Sequence, residues 1–397
     1  MFSTLDTVPA DPVLGLSAEF AADARAEKVN LGAGVFRTPD GRTPVMKAVE
    51  QAQRIIVENE ATKVYLPQRG APGFDTAIID LLFGEDRDAV EAGRVVGVQA
   101  PGGTGALRVG AGLLLRGGVE NIALTDPTWP NHAPVMASAG LTVKKLPYYD
   151  TESNAVDFDA FAKAVSALGE KDALLLHGAC HNPTGADLTD AQIDTIFDLA
   201  LEKGFFVFID TAYHGFGDGL EADAQIVRKA ATRLPETIVA YSCSKNFGLY
   251  RERTGAVLTI GKTAEDAKTA SDHVMQIARA NYSLSPAHGG VIVTEILNSA
   301  ELTALWRDEL ASMAAVVNDI RASLVDELDK LGLGNRLAYI KEQRGMFTLL
   351  PLSREAVAAA KKRHGVYLVG SGRINVCGLN DNNVALVAKA IADVIEI

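Results

Sequence analysis

The sequence predicts an α/β protein, with a large domain built on a mostly parallel sheet between helices and a smaller α+β domain. Three observations carry that expectation. Short apolar or β-branched runs recur between residues 94 and 260, and amphipathic stretches separate them. The runs are continuous rather than alternating, as strands covered on both faces require. With 397 residues, 48% of them hydrophobic, the chain can bury a sizeable core and form two or three domains.

Taken in order, residues 1–12 read as an N-terminal arm. Residues 13–44 and 312–397 read as the small domain, and 45–311 as the large one. Within the large domain the expected strands are Arg94–Gln99, Asn121–Thr125, Ala173–His177, Phe205–Asp210, Thr237–Ser242 and Gly255–Ile260. Between the third and fourth, Thr189 and Gln192 have capping-box spacing. Ile193, Ile196, Phe197 and Ala200 then share one helix face, and Gly204 marks the stop. After about residue 300 the pattern changes. Glu301–Leu331 is too long for a strand–helix repeat and reads as a connecting helix, followed by short apolar runs at Gly345–Leu350, Val366–Val369 and Arg373–Val376.

Thirty-eight Lys and Arg against 50 Asp and Glu leave a net charge of −12. Such a chain is not built as a general nucleic-acid or anionic-membrane surface, so any bound anion needs a specific local site. The longest apolar runs are far shorter than the ~20 residues of a membrane helix. The first 20 residues carry neither the basic start nor the apolar stretch of a secretion signal. Cys180, Cys243 and Cys377 lie far apart without C-x-x-C spacing, which fits a reducing compartment. A cytoplasmic protein that contacts neither membrane nor nucleic acid is expected.

Several familiar motifs fail. Gly102-Gly-Thr-Gly105 follows a strand, but Arg108 stands where a dinucleotide fingerprint needs its third glycine. His177 and His181 have i,i+4 spacing, yet Gly178 and Pro183 argue against a metal-binding helix, and no metal is expected. The glycines at 102, 103 and 105 still expose backbone N–H groups at a helix start, a seat for one phosphate as well as an ordinary turn. The most informative run is Tyr241-Ser-Cys-Ser-Lys-Asn-Phe-Gly-Leu-Tyr-Arg-Glu-Arg-Thr-Gly255. Lys245 directly follows an apolar strand, at the end where open parallel sheets place their sites. A lone lysine is usually a surface residue; a partly desolvated one can form a Schiff base with a carbonyl cofactor.

That run resembles the pyridoxal-phosphate lysine motif of the class I aspartate/aromatic aminotransferases. The likeness continues in register through Asn30–Val35, Gly103–Leu107, Asp126–His132, His177–Gly185, Asp210–Tyr213, Arg279–Ser283 and Gly372–Asn375. The resemblance implies a fold-type I enzyme with a seven-stranded, mostly parallel sheet, binding pyridoxal 5′-phosphate and working as a homodimer with shared sites. It implies that Lys245 is the Schiff-base lysine and proton carrier, and that Asp210 pairs with the pyridine nitrogen. Tyr213 and Asn182 would hydrogen-bond the 3′ oxygen, and Trp129 would stack on the ring. His132 and His177 would support Asp210 from behind. Gly103, Thr104, Ser242, Ser244 and Arg253 would hold the phosphate, with Tyr65 donated by the neighbouring subunit. Arg373 would bind the α-carboxylate, Arg279 a distal carboxylate from the partner, and Gly34 would lie in a segment over the substrate.

The chain departs from the aspartate-type pattern at Gly102, Thr211 and His214, and Leu284-Ser285-Pro286 replaces the usual Pro-Pro. The expected reaction is amino-group exchange between an aromatic amino acid or aspartate and 2-oxoglutarate. An aspartate-specific enzyme, a lyase on the same fold and a non-enzymatic ligand-binding relative are the rivals. Arg279, as a second carboxylate reader, disfavours the lyase.

Overall fold

Apolar runs that each stop at a turn or a helix start become, in a computed structural model of the chain, the strands of one sheet. The structure describes residues 2–7 and 12–397, so the expected arm at 1–12 lies partly outside the described residues. The chain divides into two compact units.

The larger unit comprises Pro44–Ala315 with Gln343–Gly345. Among the described residues its main sheet has seven strands: β1 (Val95–Pro101), β2 (Asn121–Asp126), β3 (Thr142–Pro147), β4 (Asp172–His177), β5 (Phe206–Thr211), β6 (Thr237–Ser242) and β7 (Thr254–Ile260). Their spatial order is β1-β7-β6-β5-β4-β2-β3. Every neighbouring pair from β6 to β3 is parallel, and β7 runs antiparallel to both β6 and β1. The sheet is therefore mostly parallel. Six strands match expected runs. β3 was not among them because it is an edge strand carrying Lys144 and Lys145, with only Leu146 buried. An edge strand faces water and does not read as a continuous apolar run.

The helix Asp190–Lys203 shows how local sequence fixes an element. Thr189 and Gln192 form the reciprocal cap, Ile193, Ile196, Phe197 and Ala200 are buried, and Gly204 ends the helix at φ 78°. Between sheet and helices the core is apolar, with Val98, Leu107, Phe208, Ala240, Val257 and Ile277 in one buried cluster. At ~25 cal/mol per Å² of apolar surface removed from water, burial of this kind dominates the stability of the unit.

The other unit comprises the residues up to Thr43 with Val316–Glu342 and Met346–Ile397. Val29–Asn30 pairs in parallel with Val366–Tyr367, and Phe347–Leu349 pairs antiparallel with Arg373–Asn375. Arg321 is fully buried here, donating to the Ile340 carbonyl at 3.2 Å and to the Phe347 carbonyl. Those charge-assisted bonds fix the backbone of the strand beside Arg373. Among the described residues no helix is long and apolar enough to cross a membrane.

Candidate active site

Parallel strands deliver their last residues to the same edge of a sheet, and β4, β5 and β6 end on polar side chains: His177, Asp210 with Thr211, and Ser242. Asp210 is buried. Its Oδ2 lies 3.0 Å from Nε2 of His132, whose Nδ1 lies 2.8 Å from the Thr128 hydroxyl. Both imidazole nitrogens are thus paired, and the ring is held in one orientation. Burial opposes ionisation of Asp210. The His132 hydrogen bond, reinforced by the imidazoles and the Lys245 ammonium, outweighs it and holds the carboxyl below its ordinary value. The result is a fixed, dry carboxylate at a strand end. Thr128 was not among the expected site residues; it lies four positions before His132, and only the turn between them brings hydroxyl and ring together.

His177 packs against this dyad with its ring 5.2 Å from His132 and 4.2 Å from His181. Burial, with His132 beside it, pushes its imidazole down to about 3. Its two ring nitrogens have no hydrogen-bond partner among the described residues. His132, His177 and Asp210 place one donor atom each within 4.8 Å of one another, a spacing a metal could use. The hydrogen bond between His132 and Asp210 already occupies two of those donors.

β6 leads into the turn that carries Lys245. Its Nζ lies 4.7 Å from the ring centroid of Tyr213, and the Tyr213 hydroxyl lies 3.5 Å from Nδ2 of Asn182. Trp129 packs edge-on to His132 at 5.2 Å. An amine, a phenol, an amide and an indole are therefore gathered around the buried carboxylate.

The neighbouring corner suits an anion. Helix Gly102–Arg116 starts after Pro101 with no side chain capping its first N–H groups, and Gly102 sits at φ 72°. A Cβ at Gly102 would lie 2.5 Å from Nη2 of Arg253, so the guanidinium stands across the helix start. Arg253 itself adopts φ 54°, costly for a residue with a side chain, and donates to the Tyr250 carbonyl at 2.9 Å and the Ser244 hydroxyl at 3.4 Å. Ser242 accepts from the backbone N–H of Ser244 at 3.3 Å, and a Cβ at Gly103 would lie 3.1 Å from its Cβ. Free helix N–H groups, one guanidinium and two hydroxyls make a phosphate cradle. A phosphate there, a carbonyl near Lys245 and a ring nitrogen near Asp210 match the donor set, so the residues fit pyridoxal phosphate.

The remaining expected residues are Tyr65, Arg279, Arg373 and Gly34. Tyr65 is 91% exposed, and Arg279 is exposed with its guanidinium donating to Ser283. Arg373 and Gly34 belong to the other unit. There, Nη2 of Arg373 donates to the Gly32 carbonyl at 2.9 Å, and its guanidinium carbon sits 4.4 Å from the centroid of Phe347. Asn375, two residues on, donates to the carbonyls of Ala33 and Val35 and so holds the loop around Gly34.

Comparison with known proteins points the same way. The family described as aminotransferase class I and II matches residues 26–391. The chain is 42% identical to an aspartate aminotransferase of Escherichia coli (strain K12), over the whole of both chains. It is 40% identical, with a TM-score of 0.96 over 99% of each chain, to an aromatic-amino-acid aminotransferase from Burkholderia pseudomallei covalently bound to pyridoxal phosphate. It is 36% identical, with a TM-score of 0.97 over all of both chains, to a psychrophilic aromatic amino acids aminotransferase from Psychrobacter sp. B6 cocrystallised with aspartic acid.

Proposed function

The chain belongs to the class I and II aminotransferases, and from that premise we propose that it exchanges an amino group between an aromatic amino acid or aspartate and 2-oxoglutarate, in two half-reactions at one site. It is a pyridoxal-phosphate enzyme of the fold-type I class. The single observation that carries the residue assignment is the convergence of Lys245, Tyr213 and the Asp210–His132 dyad beside the uncapped helix start and Arg253.

When bound, pyridoxal phosphate supplies a carbonyl that takes up the substrate nitrogen and a ring that accepts the electron pair left at the α-carbon. Everything else falls to the chain. In this reading the Lys245 amine would hold the cofactor and would serve as the general base that moves the α-proton. Asp210, fixed as a carboxylate by His132, would keep the ring nitrogen protonated, with His177 packed behind the pair. Asn182 and Tyr213 would hydrogen-bond the cofactor's 3′ oxygen, and Trp129 would pack on its ring. Gly103, Thr104, Ser242, Ser244 and Arg253 hold the phosphate. Arg373 takes the α-carboxylate in the two-pronged manner of a guanidinium, with Gly34 in the segment that lines the substrate.

Tyr65 and Arg279 act in this reading on a second copy of the chain, Tyr65 on its phosphate and Arg279 on the distal carboxylate of its substrate. Their exposure supports a homodimer with shared sites. The division into an arm (1–12), a small domain (13–44 and 312–397) and a large cofactor-binding domain (45–311) belongs to the same proposal. So does a cytoplasmic location, which three buried free cysteines suit.

A panel of amino donors with 2-oxoglutarate tests the reaction. Aspartate, phenylalanine and tyrosine should each yield glutamate. Transfer from aspartate alone would remove the aromatic half of the assignment, and no transfer from any donor would remove the reaction itself.

A further inference from the structure

Behind the site runs a fully buried chain of polar side chains with no assigned part in the chemistry. Nε2 of His214 lies 2.8 Å from the Leu220 carbonyl, Nδ1 of His214 lies 2.9 Å from the Tyr241 hydroxyl, and Nδ2 of Asn246 lies 2.8 Å from the same hydroxyl. His214, Tyr241 and Asn246 are all fully buried. The carbonyl can only accept, so Nε2 carries the proton. Burial pushes this imidazole down to about 4, so it is neutral and Nδ1 must accept. Tyr241 therefore donates to His214, and its oxygen accepts from Asn246. The chain has one direction and no alternative arrangement.

Both ends of this chain touch the site through the backbone. His214 directly follows Tyr213, and Asn246 directly follows Lys245. Each end is anchored on its far side as well. The backbone N–H groups of Gly215, Gly217 and Asp218 all donate to the buried carboxylate of Asp223, and the Trp306 indole donates to the Asn246 carbonyl at 2.8 Å. Two loops from different strand ends are thus held in register by side chains given no part in binding substrate or cofactor.

We propose that the buried chain His214–Tyr241–Asn246 is a positioning device that sets Lys245 against Tyr213 and thereby the rate of proton transfer at the substrate α-carbon. The proposal rests on the role given to Lys245 above. His214, one of the departures from the aspartate-type pattern, is in this view a hydrogen-bonding part and not a filler. Its imidazole can be replaced by a group with one acceptor and one donor at similar spacing, but not by an apolar one.

Three variants test it: Tyr241→Phe, which keeps the ring and removes the hydroxyl; His214→Leu, which removes both bonds; and His214→Gln, whose amide can accept from Tyr241 and donate to Leu220. Tyr241→Phe and His214→Leu should lower kcat about tenfold or more with KM within about twofold, because small misplacements of a reacting group are costly. The isotope effect with α-deuterated donor should rise in both, since proton transfer becomes slower relative to the other steps. His214→Gln should recover most of the rate. In the protein stripped of cofactor, backbone amides of residues 241–247 should exchange faster in Tyr241→Phe than in the parent. An unchanged kcat and isotope effect in Tyr241→Phe would overturn the proposal. So would a loss carried by KM, or equal losses in His214→Gln and His214→Leu. If His214→Leu fails to fold, Tyr241→Phe and His214→Gln still decide. Failure of the parent itself to transfer amino groups would instead condemn the functional reading, while the exchange measurement would still report on the chain.

Discussion

Buried imidazoles at and behind the site give the fold its pH dependence. His177 is held down to about 3 and His214 to about 4 by burial, with His181 well below its ordinary value for the same reason. Each is neutral in the fold and takes up a proton in the unfolded chain below its ordinary value of 6.5. The stability they contribute is therefore fully present above about pH 6.5 and is lost as pH falls toward the folded values. Asp187 and Asp223 run the other way: burial raises both carboxyls, Asp187 to about 6, so their contribution is present at low pH and lost as pH rises. Around pH 5 the three imidazoles outnumber the two carboxyls, and each net proton costs ~1.4 kcal/mol per pH unit. The melting temperature should fall between pH 6.5 and 4.5; a flat or rising profile would contradict this arrangement of buried neutral rings. Lys245 and Asp210 were legible in the sequence because a polar residue ending an apolar strand is conspicuous. Thr128 and the His214–Tyr241–Asn246 chain were not, since those hydrogen bonds join side chains from separate turns and strand ends.

At the scale of elements, the start of helix Gly102–Arg116 is where backbone geometry and anion binding meet. Gly102 has φ 72° and no room for a methyl group against Arg253. Gly102→Ala should push the guanidinium off the helix start and weaken pyridoxal phosphate binding about tenfold or more, measured as the dissociation constant of the cofactor. An unchanged constant would show that the phosphate sits elsewhere. Gly255 on β7 is tighter still: a Cβ there would meet the Tyr241 carbonyl and lie 2.8 Å from the Gly102 carbonyl carbon, all backbone atoms that cannot step aside. Strands buried on both faces, and the helix with its capping box, were readable from pattern alone. The edge strand β3 was hidden by Lys144 and Lys145, because a strand half in water is polar where its neighbours are apolar.

At the scale of the whole molecule, the proposed shared sites need two copies of the chain. Tyr65 and Arg279 were legible only through resemblance, because nothing local to either residue says that its target lies on another chain. Mixing Lys245→Ala with Arg279→Ala subunits gives a direct check. A mixed dimer contains one site with both defects and one with neither, so activity on aspartate should reappear when two inactive or weakened preparations are unfolded together and refolded. No recovery would contradict shared sites. The net charge of −12 takes on a narrower meaning as well: the overall field does not attract anions, and in the proposed function they are held by a few placed guanidinium groups, Arg253 and Arg373 among them.

The central claim is that Lys245 is the residue that holds the cofactor. Borohydride reduction of the cofactor-loaded protein, followed by proteolysis and mass spectrometry, tests it most directly. The account predicts a pyridoxyl-phosphate mass on the peptide containing Lys245 and its loss in Lys245→Ala. Label on a different lysine, or undiminished label in Lys245→Ala, would contradict it.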